Sequence, residues 1–379
     1  MKGRFSPMIK VATIGLGNCG NQICELALNQ HKIPGIAINS SQKDLSTVKS
    51  VMKITLGDSL GAGKNRDEAK RFVKEQVRNL LGESEFTKHI TENDVIFIIS
   101  STGGGTGSGM APILCDILSR SFPKKQFILV EVYPPIREAL ASQQNTIDFL
   151  KEVRTNLPNV AYMCYDNNKY SDLPLNEMMR KVNEEIVDMM VCIRGDYQYP
   201  TPYESIDEKD MTTILNTPGR LAVFELSNIK EKDLDKCDIE DMLLDVIKNT
   251  SSNVEMDRDK VVKRIGIITN LTTKLNPSFD PNVKKLKDLI GEPAELFQHT
   301  YISDSLAETR IVLILAGLSV PDDRLEKMVE RIEEGLEALA KTKSSSVLDD
   351  LDTDEIKSAR TGNAKGGADF DLDDLLSMY

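Results

Sequence analysis

The sequence has no tryptophan and only three histidines, His31, His89 and His299, scattered over 379 residues. A histidine-built metal site or a serine–histidine triad therefore has little to stand on. Its six cysteines, at 19, 24, 115, 164, 192 and 237, form no CxxC pair and no zinc spacing. They read as reduced thiols, several of them inside apolar segments, in a cytoplasmic protein. No apolar run reaches the length needed to cross a bilayer, and the first ten residues lack a signal peptide's apolar core, so no membrane partner is expected. Excess positive charge is lacking as well. With 47 Lys and Arg against 59 Asp and Glu, the net charge is −12, which argues against direct nucleic-acid binding by charge.

What remains is an ordinary soluble composition, 40% hydrophobic and 28% charged, in a chain long enough for two cored domains and a tail. Ser100–Gly109 (SSTGGGTGSG) dominates it, with five glycines in the seven positions 103–109. Val95–Ile99 before it reads as a buried strand. Met110–Leu118 after it reads as a helix with Pro112 near its first turn, where a missing N–H costs nothing. Between a strand and a helix, such glycines let successive backbone N–H groups line a concave anion site at the positive helix end. A flexible linker is the plain alternative, and linkers are not clamped between a hydrophobic strand and a helix start.

Ile9–Ile14 is a short strand running into Gly15-Leu16-Gly17-Asn18-Cys19-Gly20-Asn21-Gln22 and a helix to about Leu28. This is GxGxxG in the strand–helix context of nucleotide phosphate binding. The next strand, Gly35–Ile38, ends in Asn39-Ser40-Ser41-Gln42, without the acid a dinucleotide enzyme places there. Gly57–Asn65 resembles a Walker A loop but has Asp58 for its first glycine and Asn65 for its Ser or Thr. It reads as a third Gly-rich loop facing the same phosphates. Lys64 is then a charge for the terminal phosphate, or simply a solvated lysine in a turn. A charged helix covers Asp67 to about Leu81. Further strands at 126–132 and 160–165, with a helix between them to about Val153, predict a doubly wound, mostly parallel α/β sheet with its ligand along the strands' C-terminal edge.

Gly103–Gly109, Gly17-Asn18-Cys19-Gly20-Asn21-Gln22 and Leu60-Gly61-Ala62-Gly63-Lys64-Asn65 occur in the order that the tubulin/FtsZ superfamily of GTPases carries. The chain resembles that superfamily over about residues 9–320, and most resembles its phage and plasmid tubulins of the PhuZ and TubZ type. The resemblance implies GTP or GDP with Mg²⁺, the protein ligands of the metal unknown. It places Gly17, Asn18, Cys19 and Gln22 under the phosphates, and Ala62, Gly63 and Lys64 near the γ-phosphate. It wraps Gly104, Gly105, Thr106 and Gly107 around the α- and β-phosphates. It assigns Glu138 to the ribose, and Asn167 and Asn183 to the guanine, whose edge an amide can meet with both a donor and an acceptor.

The family's hydrolytic acids reach the nucleotide of the neighbouring subunit from an NxDxxD loop after the central helix. Ser205-Ile206-Asp207-Glu208-Lys209-Asp210 occupies that place, so Asp207 and Asp210 match the acids, with Ser205 for the family's Asn. Their implied task is to orient and polarise a water in line with the γ-phosphate. The bland reading is an acidic helix N-terminus that complements the dipole. A pocket completed by the next subunit makes contacts head-to-tail and non-closing, so the implied partner is the chain itself in a filament. A DNA-binding adaptor or phage cargo would ride on it.

The expected division is a Rossmann-like GTP-binding domain at 1–174, a long central helix at 175–194, a catalytic loop at 195–219, a smaller α+β domain at 220–342 and an acidic flexible tail at 343–379. In that second domain, strands fall at 221–226, 262–271, 296–303 and 310–318, with helices at 231–249, 283–290 and from Asp322 to about Thr342. The tail holds nine Asp or Glu against four Lys or Arg, a composition that cannot bury a core. Its end, Phe370–Tyr379, mixes acids and apolar residues as a groove-docking peptide or a solubilising end would. Competing readings are a cell-division FtsZ homologue, a Rossmann-type NAD(P) oxidoreductase, which leaves GGGTGSG unexplained, and a nucleotide-binding regulator that neither polymerises nor hydrolyses.

Overall fold

The computed structural model describes residues 9–344 apart from 196–197, 203–204, 235–237 and 253–260. The acidic tail beyond 344, with its docking-peptide reading, lies outside the described residues. Among those residues ten strands form one sheet: β1 Val11–Leu16, β2 Gly35–Asn39, β3 Met52–Thr55, β4 Val95–Ser101, β5 Gln126–Tyr133, β6 Ala161–Asp166, β7 Gly219–Ser227, β8 Arg264–Leu271, β9 Glu295–Ile302 and β10 Arg310–Leu318. The helices are α1 Gly17–His31, α2 Gln42–Leu45, α3 Arg66–Gly82, α4 Ser84–Thr91, α5 Thr106–Ser121, α6 Leu140–Asn156, α7 Leu175–Arg194, α8 Glu208–Leu215, α9 Ile239–Asn249, α10 Lys284–Ile290 and α11 Asp322–Ser344.

Strand order is β3-β2-β1-β4-β5-β6-β7-β10-β8-β9. The first six neighbours are parallel and wind outwards in both directions from the β1–β4 pair, in register from Val11↔Val95 to Leu16↔Ser100. That pair is the topological switch point, where crossovers leave on opposite faces and a crevice opens at the strands' C-terminal ends. The α+β part is no separate sheet. It joins β6 through the two pairs Ala161↔Gly219 and Tyr162↔Arg220, then turns antiparallel at β10.

Alternating side chains divide the core. Phe97, Ile99, Ile128 and Val130 face one way, against Ile23 of α1 and Val182, Ile186 and Met190 of α7. Ile14, Leu16, Ile96 and Ile98 face the other, under Phe72 of α3, Leu114 of α5 and Phe149 of α6. The α7 layer continues over Val223, Ile268 and Val312, so the central helix spans both halves of the sheet. A third core lies under α9 and α10.

Three expectations change. Helix α5 begins at Thr106, inside the Gly-rich run, so Pro112 sits within the helix rather than in its first turn. The charged segment 231–249 is split into a 3-10 turn at Glu231–Asp233 and α9. A short helix, α4, follows α3 without having been expected. Asn65, one of the two departures from Walker A, is the N-cap of α3 and accepts from Asp67 N and Glu68 N.

Candidate functional site

The three Gly-rich segments meet at the switch point. Gly17 opens α1 with φ +71, a left-handed conformation, and a Cβ there would stand 3.0 Å from Gly107 N. Gly105, the N-cap of α5, faces the main chain of Lys64 so closely that a Cβ would lie 2.6 Å from its Cα. Ser40, after β2, shares a 2.8 Å hydrogen bond with Thr106. The result is a backbone-walled hollow at the N-terminal ends of α1 and α5, where unsatisfied N–H groups and helix dipoles favour an anion.

Polar atoms without partners sit at the same edge. Asn21, fully buried in α1, has neither amide atom hydrogen-bonded, and the buried Ser100 hydroxyl has no partner either. Buried polar groups are normally paired, and these two lie where the helix N-termini already favour an anion.

Within the first loop, Asn18 is exposed and Cys19 is half-buried. Burial pushes the Cys19 thiol up to about 12, which removes it as a nucleophile. Gln22 donates to Thr47 Oγ1 at 2.8 Å, so its amide braces α1 against the segment after α2. In the third loop Ala62 is buried, while Gly63 and Lys64 both have positive φ, 54 and 66. A lysine in the left-handed region is a local strain of the kind found at ligand-holding turns.

Lys64 and Glu138 meet through one hydroxyl. Lys64 Nζ lies 3.4 Å from Ser142 Oγ, and Ser142 Oγ donates to Glu138 Oε1 at 2.9 Å. Asn145, one turn further along α6, donates Nδ2 to the carbonyls of Lys64 (3.1 Å), Gly103 (3.3 Å) and Gly104 (3.2 Å). Sequence reading missed Ser40, Ser142 and Asn145. They carry no motif, and only the helical i, i+3 spacing after Pro135 could have hinted that Ser142 and Asn145 share a face.

Asn167 opens a 3-10 turn, Asn167–Tyr170, whose cap Asp166 accepts from Asn168 N. Asn168 Oδ1 in turn accepts from Ile136 N, tying the loops after β5 and β6 together. Helix α7 packs on this turn: Tyr170 donates to Glu185, and Lys181 Nζ stands 5.0 Å over the Tyr170 ring. Asn167 and Asn183 are both half-buried, and neither amide is hydrogen-bonded to a described residue.

Asp207 and Asp210 are placed elsewhere. They form a capping box at the start of α8: Asp210 N donates to Asp207 Oδ1 at 2.8 Å, and Asp207 N to Asp210 Oδ2 at 3.2 Å. Asp207 is exposed and Asp210 partly so. Helix α8 packs on β8 and β10, away from the switch point of its own chain. The segment before it lies along β9. Tyr199 stacks on Tyr301 with centroids 4.7 Å apart, Thr201 Oγ1 donates to Thr300 O at 2.7 Å, and Ser205 Oγ meets His299 Nδ1 at 3.2 Å.

Known proteins share this fold. Residues 10–173 match the profile of the Tubulin/FtsZ family, GTPase domain. The tubulin-like protein CetZ of Pyrococcus horikoshii is 25% identical over 56% of the chain, which spans about 60% of the length of that relative. The tubulin-like protein TubZ of Clostridium botulinum C phage is 20% identical over 98% of this chain and 99% of its own. A protofilament structure of Bacillus thuringiensis serovar israelensis TubZ in its GTPγS form superposes with a TM-score of 0.72 at 16% identity, covering 89% of this chain and 95% of that one. Over residues 10–173 the chain is thus similar to the GTPase domain of the Tubulin/FtsZ family, and its fold is the one that the tubulin-like TubZ and CetZ structures share.

Proposed function

We propose that this chain binds GTP at the β1–β4 switch point, assembles head-to-tail into filaments, and hydrolyses GTP where one subunit meets the next. The observation that carries this is the convergence of three Gly-rich segments on the N-termini of α1 and α5, with the buried Asn21 and Ser100 left unpaired beside them. On this reading Gly17, Asn18, Cys19 and Gln22 underlie the phosphates and Gly104–Gly107 wrap them. Ala62, Gly63 and Lys64 close the γ end. Asn167 and Asn183, with free amides on packed elements, take the guanine. Glu138 stands at the ribose side and shares Ser142 with Lys64.

Mg²⁺ fits as a passenger of the nucleotide. Among the described residues no cluster of three His, Cys, Asp or Glu could cage a metal, and Mg²⁺ commonly takes phosphate oxygens, waters and one or two protein ligands. When bound it offsets charge on the β and γ oxygens.

Asp207 and Asp210 supply no wall to their own subunit's hollow, and both retain solvent access, as groups that act on a neighbour must. Each subunit then presents a hollow at one end and an acidic pair at the other, and repetition of that contact produces an open filament. The domain division expected from sequence fits this reading: residues 1–174 hold the nucleotide, 175–194 join the halves, and 195–219 with 220–342 present the acids. The near end-to-end match with a phage TubZ favours a filament that positions phage or plasmid DNA in the cytoplasm, through an adaptor. Against an NAD(P) reading, Asn39 stands where the ribose acid belongs and is turned inward, its Oδ1 accepting from Ser41 N.

The test is light scattering and electron microscopy after adding GTP and Mg²⁺ to the purified chain. Scattering that rises with GTP and falls as GTP is consumed is the expected result. Bound GTP with no scattering at any protein concentration removes the filament. Failure to bind GTP alongside binding of NAD(P) removes the whole reading.

A further inference from the structure

Helix α5 carries a defect that a side chain repairs. In a regular helix the carbonyl of Ser108 accepts the N–H four residues on, and that residue is Pro112, which has none. Arg66 fills the gap. Its Nη2 donates to Ser108 O at 3.1 Å and to Glu152 Oε2 of α6 at 2.7 Å. Arg66 is 8% exposed, and Glu152 is also held by Lys70 at 2.9 Å.

Placement makes this more than a local patch. Arg66 is the first residue of α3, directly after the Lys64–Asn65 end of the third Gly-rich loop. Ser108 lies in the first turn of α5, directly after the signature glycines. Where α3 and α5 touch there is no spare room: a Cβ on Gly109 would overlap Arg66 O and come within 2.7 Å of Ala69 Cβ. On the other side Asn145 ties Lys64 O to Gly103 O and Gly104 O. The two loops are thus pinned together from both flanks, one pin being a donor that only the proline makes necessary.

We propose that Arg66 is a positioning residue: by taking the carbonyl that Pro112 leaves open, it sets the spacing between the loop at 61–65 and the signature loop at 103–109. The inference rests on the nucleotide reading of those loops. Arg66 itself touches no nucleotide. It acts by holding the backbone N–H groups of the two loops at one separation, so that both reach the same phosphate chain. Loss of a charge-assisted hydrogen bond at a buried site is large enough to move that separation.

A double-mutant cycle on the full chain tests it, with Arg66→Met, Pro112→Ala and the pair. Pro112→Ala restores a main-chain donor to Ser108 O, and in the Met variant Glu152 keeps Lys70. Arg66→Met is expected to weaken GTP binding about tenfold in the native background and less than about threefold in the Pro112→Ala background. Equal losses in both backgrounds, or no loss in either, overturn the inference and reduce Arg66 to an ion pair. Amide hydrogen exchange without nucleotide reads the same coupling: faster exchange at 61–66 in Arg66→Met, restored by Pro112→Ala. That measurement judges the inference even if the chain binds no GTP. Should Arg66→Met fail to fold, recovery of folding by Pro112→Ala supports it, and failure of both contradicts it.

Discussion

Asp207 and Asp210 have an observed role within the chain and, on the proposed reading, a second one between chains. Within the chain they cap α8, a role worth about 1 kcal/mol when a cap is cut back to alanine. Between chains, on the proposed reading, they orient the attacking water. Asparagine separates the two, because it caps as well as aspartate but offers no carboxylate. Asp207→Asn and Asp210→Asn should each keep urea-unfolding stability within about 0.5 kcal/mol while GTP turnover falls about a hundredfold. Gly105 gives a second test: alanine there must displace the Lys64 main chain, and GTP binding should weaken about tenfold or more in an equilibrium titration. His89 gives a third. Burial holds its pKa below the ordinary 6.5 while its Nε2 donates to Thr13 O at 3.1 Å. The unfolded chain therefore binds the proton first, and stability declines as pH falls through about 6.5, levelling off below the folded pKa. In His89→Gln the decline between pH 7 and 5 should be shallower. The buried His299, lowered for the same reason, leaves a residual slope.

At the scale of elements, the strand–glycine–helix alternation was legible because each unit carries its own period and punctuation. β1, β4 and β10 fall close to where the apolar patterns place them, and α3 and α7 close to the expected charged helix and central helix. The start of α5 was not legible. Glycine and Ser-Gly steps argue against helix by propensity, yet packing against α3 and Leu16 overrides it, and Arg66 makes Pro112 tolerable inside the helix. The glycine loops of the site were readable from spacing, whereas their braces were not. Ser142, Asn145 and Arg66 are ordinary helix residues whose meaning comes only from which helix they face. Arg324 is another such brace: it reaches from α11 to Asp166 at 2.5 Å and to Pro134 O at 2.7 Å, and is 4% exposed. Arg324→Met leaves Asp166 without its cation and should cost about 3 kcal/mol, read as a lowered urea midpoint.

At the scale of the molecule, one sheet of ten strands carries the converging Gly-rich loops at its switch point and an acidic helix start on its other half, so a single subunit presents the two without joining them. On the proposed reading these two ends meet when like subunits stack, and the chemistry belongs to the joint. The most direct measurement is GTP turnover per subunit as a function of protein concentration, at saturating GTP and Mg²⁺. If the joint is the active site, turnover per subunit stays near zero below a critical concentration and climbs to a plateau above it, in step with scattering. Turnover per subunit that is constant across the range, and present in the monomer, would contradict the account.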